Sequence, residues 1–120
     1  MKTIVIKRIY EDASDEDGYR ILVDRLWPRG ITKLRAKWDE WNKEVAPSTE
    51  LRKWFGHKPE RFEEFSKLYK DELKNKTEEL NRIRTIAETQ NLTLLYAAKD
   101  LKINHAVVLQ EVLNDNKIIY

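Results

Sequence analysis

The 120-residue chain contains no cysteine, and long apolar runs are missing as well. The absence of cysteine excludes disulfides, thiol catalysis and metal sites built on thiolates, and it fits a reducing compartment. Charged residues interrupt the first eight positions too early for the apolar region of a signal peptide. No apolar run approaches the ~20 residues of a membrane span. We therefore expect a cytoplasmic protein that does not engage a membrane.

Glycine and proline are also scarce, with three of each. All six fall between the segments that read as helices or strands, which makes the assignment of elements consistent along the chain. The length predicts a single domain over residues 1–120. We see no linker, repeat or low-complexity tract that would divide it.

Hydrophobic patterns predict a single small three-layer-like α/β domain. Strands are expected near residues 2–9, 20–24 and 92–98, with a possible edge strand at 118–120. They would form a short, mostly parallel sheet of about three to four strands, flanked by four to five helices. The ten residues between the first two strands leave their pairing direction open.

Helical spacing predicts four helical regions. The first carries Leu34, Trp38, Trp41 and Val45, begins at Thr32 and stops at Pro47. A short second helix is capped by Ser48 or Thr49, turns Leu51, Trp54 and Phe55 inward, and ends at Gly56. The third runs from Phe62 to Ala87, either unbroken or with a break near Asn75. The last is capped by Asp100 or Asn104.

Polar side chains follow two of the predicted strands. The strand near residues 20–24 ends in Asp24, Arg25, Trp27 and Arg29, on a loop that Pro28 and Gly30 keep irregular. Lys99 and Asp100 follow strand 92–98, and Asn104 and His105 begin the last helix. If the strands are parallel neighbours, their carboxyl ends meet at one edge, where α/β proteins usually bind ligands.

These residue types suit a small anionic ligand. Arg25, Arg29 and Lys99 would bind phosphate or carboxylate, with Trp27 and Asn104 completing the binding site. Asp24, His105 and Asp100 are the candidates for proton transfer. No cofactor is indicated, although Asp24 with Asp100 offers a weak signal for magnesium.

Each of these residues also has a structural interpretation. Asp24 could simply be salt-bridged, and Arg25 and Arg29 could clamp the acidic segment 11–17. Trp27 could plug the loop, and His105 or Asn104 could serve as a cap. His57 reads as an exposed histidine. Each interpretation needs no ligand.

Three functions remain open from the residues alone. The first is an enzyme acting on a phosphorylated or nucleotide-like substrate. The second is a non-catalytic module that binds a nucleotide or nucleic acid, because residues 20–37 carry six bases and one acid. The third is a structural ion-pair cluster without a ligand. The chain has no glycine-rich phosphate loop and no metalloprotease or nucleophile-elbow motif.

Three segments resemble the YeaO-like proteins, a branch of the domain of unknown function 488. They are Gly18 to Gly30 (GYRILVDRLWPRG), Ala46 to His57 (APSTELRKWFGH) and Leu94 to Asp100 (LLYAAKD) followed by Asn104-His105-Ala106. The resemblance implies a small cytoplasmic α/β protein but carries no established activity. Longer members have a Cys-His-Arg segment where Asn104-His105-Ala106 stands here, so a thiol-dependent role does not transfer.

Overall fold

The sheet of this protein contains four parallel strands. The computed structural model describes residues 4–115, with β1 (Ile4–Arg8), β2 (Tyr19–Leu22), β3 (Glu40–Trp41) and β4 (Leu92–Tyr96) in the order β1-β4-β2-β3. The first two strands are not partners, because β4 lies between them and pairs with both in parallel. The predicted α/β class and parallel sheet are confirmed. The predicted edge strand at 118–120 lies outside the described residues.

Residues 4–115 contain five α-helices besides short 3-10 turns: α1 (Lys33–Ala36), α2 (Thr49–Phe55), α3 (Phe62–Leu73), α4 (Thr77–Thr89) and α5 (His105–Asn114). The side chains of Thr32, Ser48 and Asn104 cap α1, α2 and α5 by accepting a backbone N–H bond. A 3-10 turn at Lys74–Lys76 separates α3 from α4, so the predicted third helix is broken near Asn75. Of the two predicted caps of the last helix, Asn104 is the one observed.

The helix predicted from Leu34 to Val45 is wrong beyond its first turn. The α1 helix ends at Lys37, which has a left-handed backbone (φ 48°), and the chain then extends as β3 beside β2. Leu34 is 88% exposed, whereas Trp38 and Trp41 are partly buried and pack against the hydrophobic cluster that contains Leu22 and Leu95. Strand pairing with β2 thus overrides a spacing that also fits a helix.

The two faces of the sheet carry two hydrophobic clusters. Ile21, Val23 and Leu94 point to one face, where they pack against α2, α3, α4 and α5. Leu22 and Leu95 point to the other face, which is covered by α1 and the loop that joins β2 to α1. Trp54, predicted to face inward, lies at the surface beneath the guanidinium of Arg61.

A buried ion pair fixes the acidic segment before β2. Arg20, 4% exposed, donates to Asp17 Oδ2 at 2.5 Å and to the carbonyls of Lys37 and Ala36 at the end of α1. Lys7 approaches the same carboxylate at 3.2 Å. Burial acts to raise the pKa of Asp17, but the Ser14 N–H and the two cations outweigh it, so the pKa lies below its usual value.

We predict that Asp17→Asn destabilises the protein by about 3 kcal/mol, because it leaves the buried Arg20 without its counter-charge. The wild-type contribution should be complete above the ordinary carboxyl range and decrease as the pH falls through the lowered pKa. Urea unfolding at several pH values measures both effects. If the variant and the wild type keep the same stability difference at pH 7 and at pH 3, the assigned role is wrong.

Gly18 marks a close approach between the start of β2 and the residue before β4. Its φ is +66°, and a Cβ there would lie 2.0 Å from the carbonyl oxygen of Asn91. Gly30 has a φ of +79°, but nothing lies within 4 Å of its Cβ position. A comparison of alanine substitutions at these two glycines therefore distinguishes the cost of backbone strain from the cost of steric overlap.

We predict that Gly30→Ala costs only the left-handed backbone penalty, about 1–2 kcal/mol. Gly18→Ala should cost clearly more, because the methyl group must also displace the Asn91 backbone. Thermal unfolding of both variants is the measurement. Equal losses would show that the contact with Asn91 relaxes freely.

Candidate functional site

A cleft of about 760 Å³ lies at the carboxyl ends of β2 and β4. Because the two strands are parallel neighbours, the loops that follow them open toward the same edge of the sheet. The start of α5 and the end of α2 close the remaining sides. The lining includes all eight predicted site residues: Asp24, Arg25, Trp27, Arg29, Lys99, Asp100, Asn104 and His105. Their proximity is thus a structural fact, and their roles remain predictions.

Asp24 is the best-anchored residue of the cleft. Its Oδ2 atom accepts a hydrogen bond from the Ala97 N–H at 3.1 Å, which ties the end of β2 to the end of β4. Its backbone carbonyl accepts one from the Trp41 indole at 2.7 Å. Its Oδ1 atom is the one buried side-chain N or O atom without a hydrogen-bond partner among residues 4–115. A buried polar atom without a partner calls for an explanation, and a role in a binding or catalytic site is one of the known ones.

The imidazole of His105 lies beside that oxygen. Its Nε2 atom is 2.9 Å from Asp24 Oδ1 and 3.1 Å from the carbonyl oxygen of Val23. The alignment favours the carbonyl as the hydrogen-bond acceptor, so the contact with Oδ1 is chiefly electrostatic. The side chains of His105 and Asp24 are 16% and 15% exposed. The cleft therefore contains a carboxylate–imidazole pair of the kind used for proton transfer.

Arg25 is largely engaged by the protein. Its Nε atom donates to the carbonyl of Pro47 at 2.9 Å, and Nη2 donates to those of Lys43 and Ala46 at 3.2 Å. It therefore fixes the segment before α2, whereas the acidic segment 11–17 is held by Lys7 and Arg20. Within the described residues, Nη1 is its remaining unbonded nitrogen.

Trp27 forms a wall of the cleft from within the second hydrophobic cluster. Its indole donates to the carbonyl of Ile31 at 2.9 Å and packs edge-on against Trp38 and Trp41, with centroid distances of 6.2 and 5.5 Å. These contacts fit the structural interpretation of Trp27 as a loop plug. The ring is half-buried and still lines the cleft, so its predicted part in ligand binding stays a prediction.

Asp100 and Asn104 shape the loop before α5. Asp100 Oδ1 accepts the N–H groups of Lys102 and Ile103 at 2.9 Å, and these bonds hold its pKa below the usual value. Asn104 accepts from Val107 and donates to the Asp100 carbonyl. Within residues 4–115, no group of three or more His, Cys, Asp or Glu side chains is placed to hold a metal ion.

Three cations of the cleft have no hydrogen bond or ion pair from their side chains among the described residues. They are Arg29, Arg52 and Lys99, and all three are exposed. The lining contains four Lys or Arg and two carboxylates, one of which faces an imidazole. Among the lining side chains, the cations therefore outnumber the carboxylates by two.

Sequence reasoning did not place Arg52 and His57 in the cleft, although both line it. The end of α2 brings them there, next to the apolar ring of Phe55. Helical spacing places Arg52 on an exposed face and says nothing of what lies opposite. The available signal was that both residues belong to the second resembling segment, Ala46 to His57.

The fold and the cleft define a small α/β protein with a cationic cavity and a carboxylate–imidazole pair at its strand ends. Over residues 3–118 the chain matches the family described as the inactive DUF488-N3 subclade, and it belongs to that family. Among curated proteins it is 51% identical over 108 residues to the uncharacterised protein YeaO of Escherichia coli K12, covering 90% of this chain and 94% of that one.

Two mycobacterial relatives extend the comparison. The uncharacterised proteins Mb3100c of Mycobacterium bovis and Rv3073c of Mycobacterium tuberculosis are each 42% identical over 109 residues, covering 91% of this chain and 92% of theirs. No solved structure matches the chain. Across residues 4–115, no helix combines the length and hydropathy needed to cross a bilayer.

We predict that Arg25→Ala and Arg29→Ala separate structure from binding. Losing the charged hydrogen bonds of Arg25 should destabilise the fold by about 2 kcal/mol. Arg29→Ala should change stability by less than about 0.5 kcal/mol, as for an exposed residue without contacts. Thermal unfolding of the two variants provides the comparison. A stability loss for Arg29→Ala as large as that for Arg25→Ala would contradict the assignment.

Proposed function

We propose that this protein binds a small phosphorylated or nucleotide-like anion in the cleft and does so without turnover. The observation that carries the proposal is the set of unpaired cations, Arg29, Arg52 and Lys99, around one cavity. Guanidinium groups bind phosphate through two parallel hydrogen bonds, and an ammonium adds a point charge. The description of the family as inactive supports binding over catalysis.

The cleft also offers an uncharged surface. Pro28, Phe55 and Ala98 line it beside the cations. A ligand with an apolar or aromatic part next to its phosphate would therefore contact both halves, as a nucleotide does. A simple anion would use only the cationic half.

Nucleic acid carries the same phosphate group and is a further candidate partner. The exposed bases of segment 20–37, such as Arg29 and Lys33, support it. Arg20 and Arg25, by contrast, are engaged within the protein.

A second candidate function is an enzyme acting on the same class of substrate. The pairing of Asp24 with His105 favours it, because a carboxylate that orients an imidazole is a common acid–base arrangement. In that case Asp24 would position the ring, His105 would move the proton, and Asp100 would assist from the loop before α5. Since the chain has no cysteine, the expected setting for either function is the reducing cytoplasm.

The test is a thermal-shift and calorimetric screen of nucleotides, sugar phosphates and inorganic anions at low salt. A ligand that binds only the folded state adds about 2.7 kcal/mol at a hundred times its Kd. We expect at least a tenfold loss of affinity in the double variant Arg29→Ala/Lys99→Ala. Lys53→Ala is the matched control, because that exposed lysine lies on α2 outside the cleft.

The same ligands decide between the two candidates. Incubated with the protein and followed by 31P NMR, a bound nucleotide should remain chemically unchanged. Turnover that disappears in His105→Gln would establish the enzyme instead. If no ligand shifts the melting temperature and nucleic acid does not bind at low salt, the cleft is a structural ion cluster and the proposal is wrong.

A further inference from the structure

We infer that His105 contacts the bound anion through Nδ1 as an imidazolium, so that anion binding takes up a proton wherever the free ring is neutral. The inference rests on the proposed function and adds what the cleft requires of its ligand. It follows from the tautomer that the fold imposes on the ring.

The surroundings of Nε2 fix its proton. The atom lies 3.1 Å from the carbonyl oxygen of Val23 and 2.9 Å from Asp24 Oδ1, and both of these are acceptors. A ring nitrogen facing two acceptors must carry hydrogen, since a bare lone pair would be repelled by both. In the neutral ring, Nδ1 is then the unprotonated nitrogen.

The Nδ1 atom is the free end of the ring. It has no hydrogen-bond partner within residues 4–115 and is not fully buried, so it keeps some contact with solvent. His105 lines the cleft together with the unpaired cations. An anion that enters the cleft therefore meets Nδ1 as the accessible nitrogen of this ring.

The charge state of the ring decides that contact. A neutral ring presents the Nδ1 lone pair, which repels an anion, whereas a protonated ring presents an N–H donor and a positive charge. The Asp24 carboxylate, 2.9 Å from Nε2, balances the charge of the protonated ring. Binding of an anion and protonation of Nδ1 should thus favour each other.

The effects of other ionisable groups near the ring must be distinguished from protonation of the ring itself. Those that line the cleft or pack beside it are Asp24, Arg25, Arg29, Arg52, His57, Lys99, Asp100, Tyr69 and Tyr96. Burial raises the pKa of both tyrosines, and the loop N–H groups lower that of Asp100. Histidine is the residue type that ordinarily changes charge between pH 5 and 8, so His57 is the group to control for.

The experiment measures sulfate binding by calorimetry from pH 5.5 to 8, in buffers of different ionisation enthalpy. Sulfate keeps the same charge throughout this range, so a change in affinity belongs to the protein. We expect a proton uptake that rises toward one at the alkaline end of this range, where the affinity should fall by close to tenfold for each pH unit. His105→Gln should abolish the uptake, and His57→Gln should retain it.

The tautomer of the His105 ring can be measured directly by NMR. The 15N shifts of the His105 ring in the free protein at pH 8 should report a proton on Nε2. An Nδ1–H tautomer, sulfate binding without proton uptake, or uptake that follows His57 would each overturn the inference and leave the proposed function standing. Failure of sulfate to bind at any pH would overturn it too, and nucleotide binding would then decide the proposed function separately.

Discussion

The burial of β4 between two parallel partners is the constraint on which the rest of the structure depends. All five residues of this strand are buried, and it pairs with β1 on one side and β2 on the other. Such a strand can present polar groups only where it ends. The carboxyl ends of β2 and β4 are therefore brought to one edge by the same packing that excludes water from the core.

Asp24 links the two strand ends at this edge and lines the cleft. One of its oxygens accepts the N–H of Ala97 and thereby links the two strand ends, while the other remains buried without a hydrogen bond. Leaving a buried polar atom unsatisfied costs stability. The fold tolerates this cost at the point where the carboxylate faces His105, which is consistent with a site retained for its chemistry.

The sequence predicted the elements whose signal is hydrophobic and local. The apolar run at Leu92–Ala98 predicted the buried strand β4. Side-chain chemistry narrowed the caps of α2 and α5 to two residues each, Ser48 or Thr49 and Asp100 or Asn104, and the structure selects Ser48 and Asn104. The two-residue strand β3 was missed, because Trp38 and Trp41 are three apart, a spacing that also suits a helix. Arg52 was missed because only tertiary packing turns the end of α2 toward the cleft.

The Asp24–His105 pair is compatible with a family described as inactive, because the pair also serves the fold. Through Nε2 the imidazole joins the first residue of α5 to Val23, the buried residue that follows β2. The nitrogen used for this link is no longer available to a ligand, so chemistry at the ring is restricted to Nδ1. A group held in this way is well placed to sense or bind an anion, and it becomes catalytic only if a ligand brings a reacting atom to that one nitrogen.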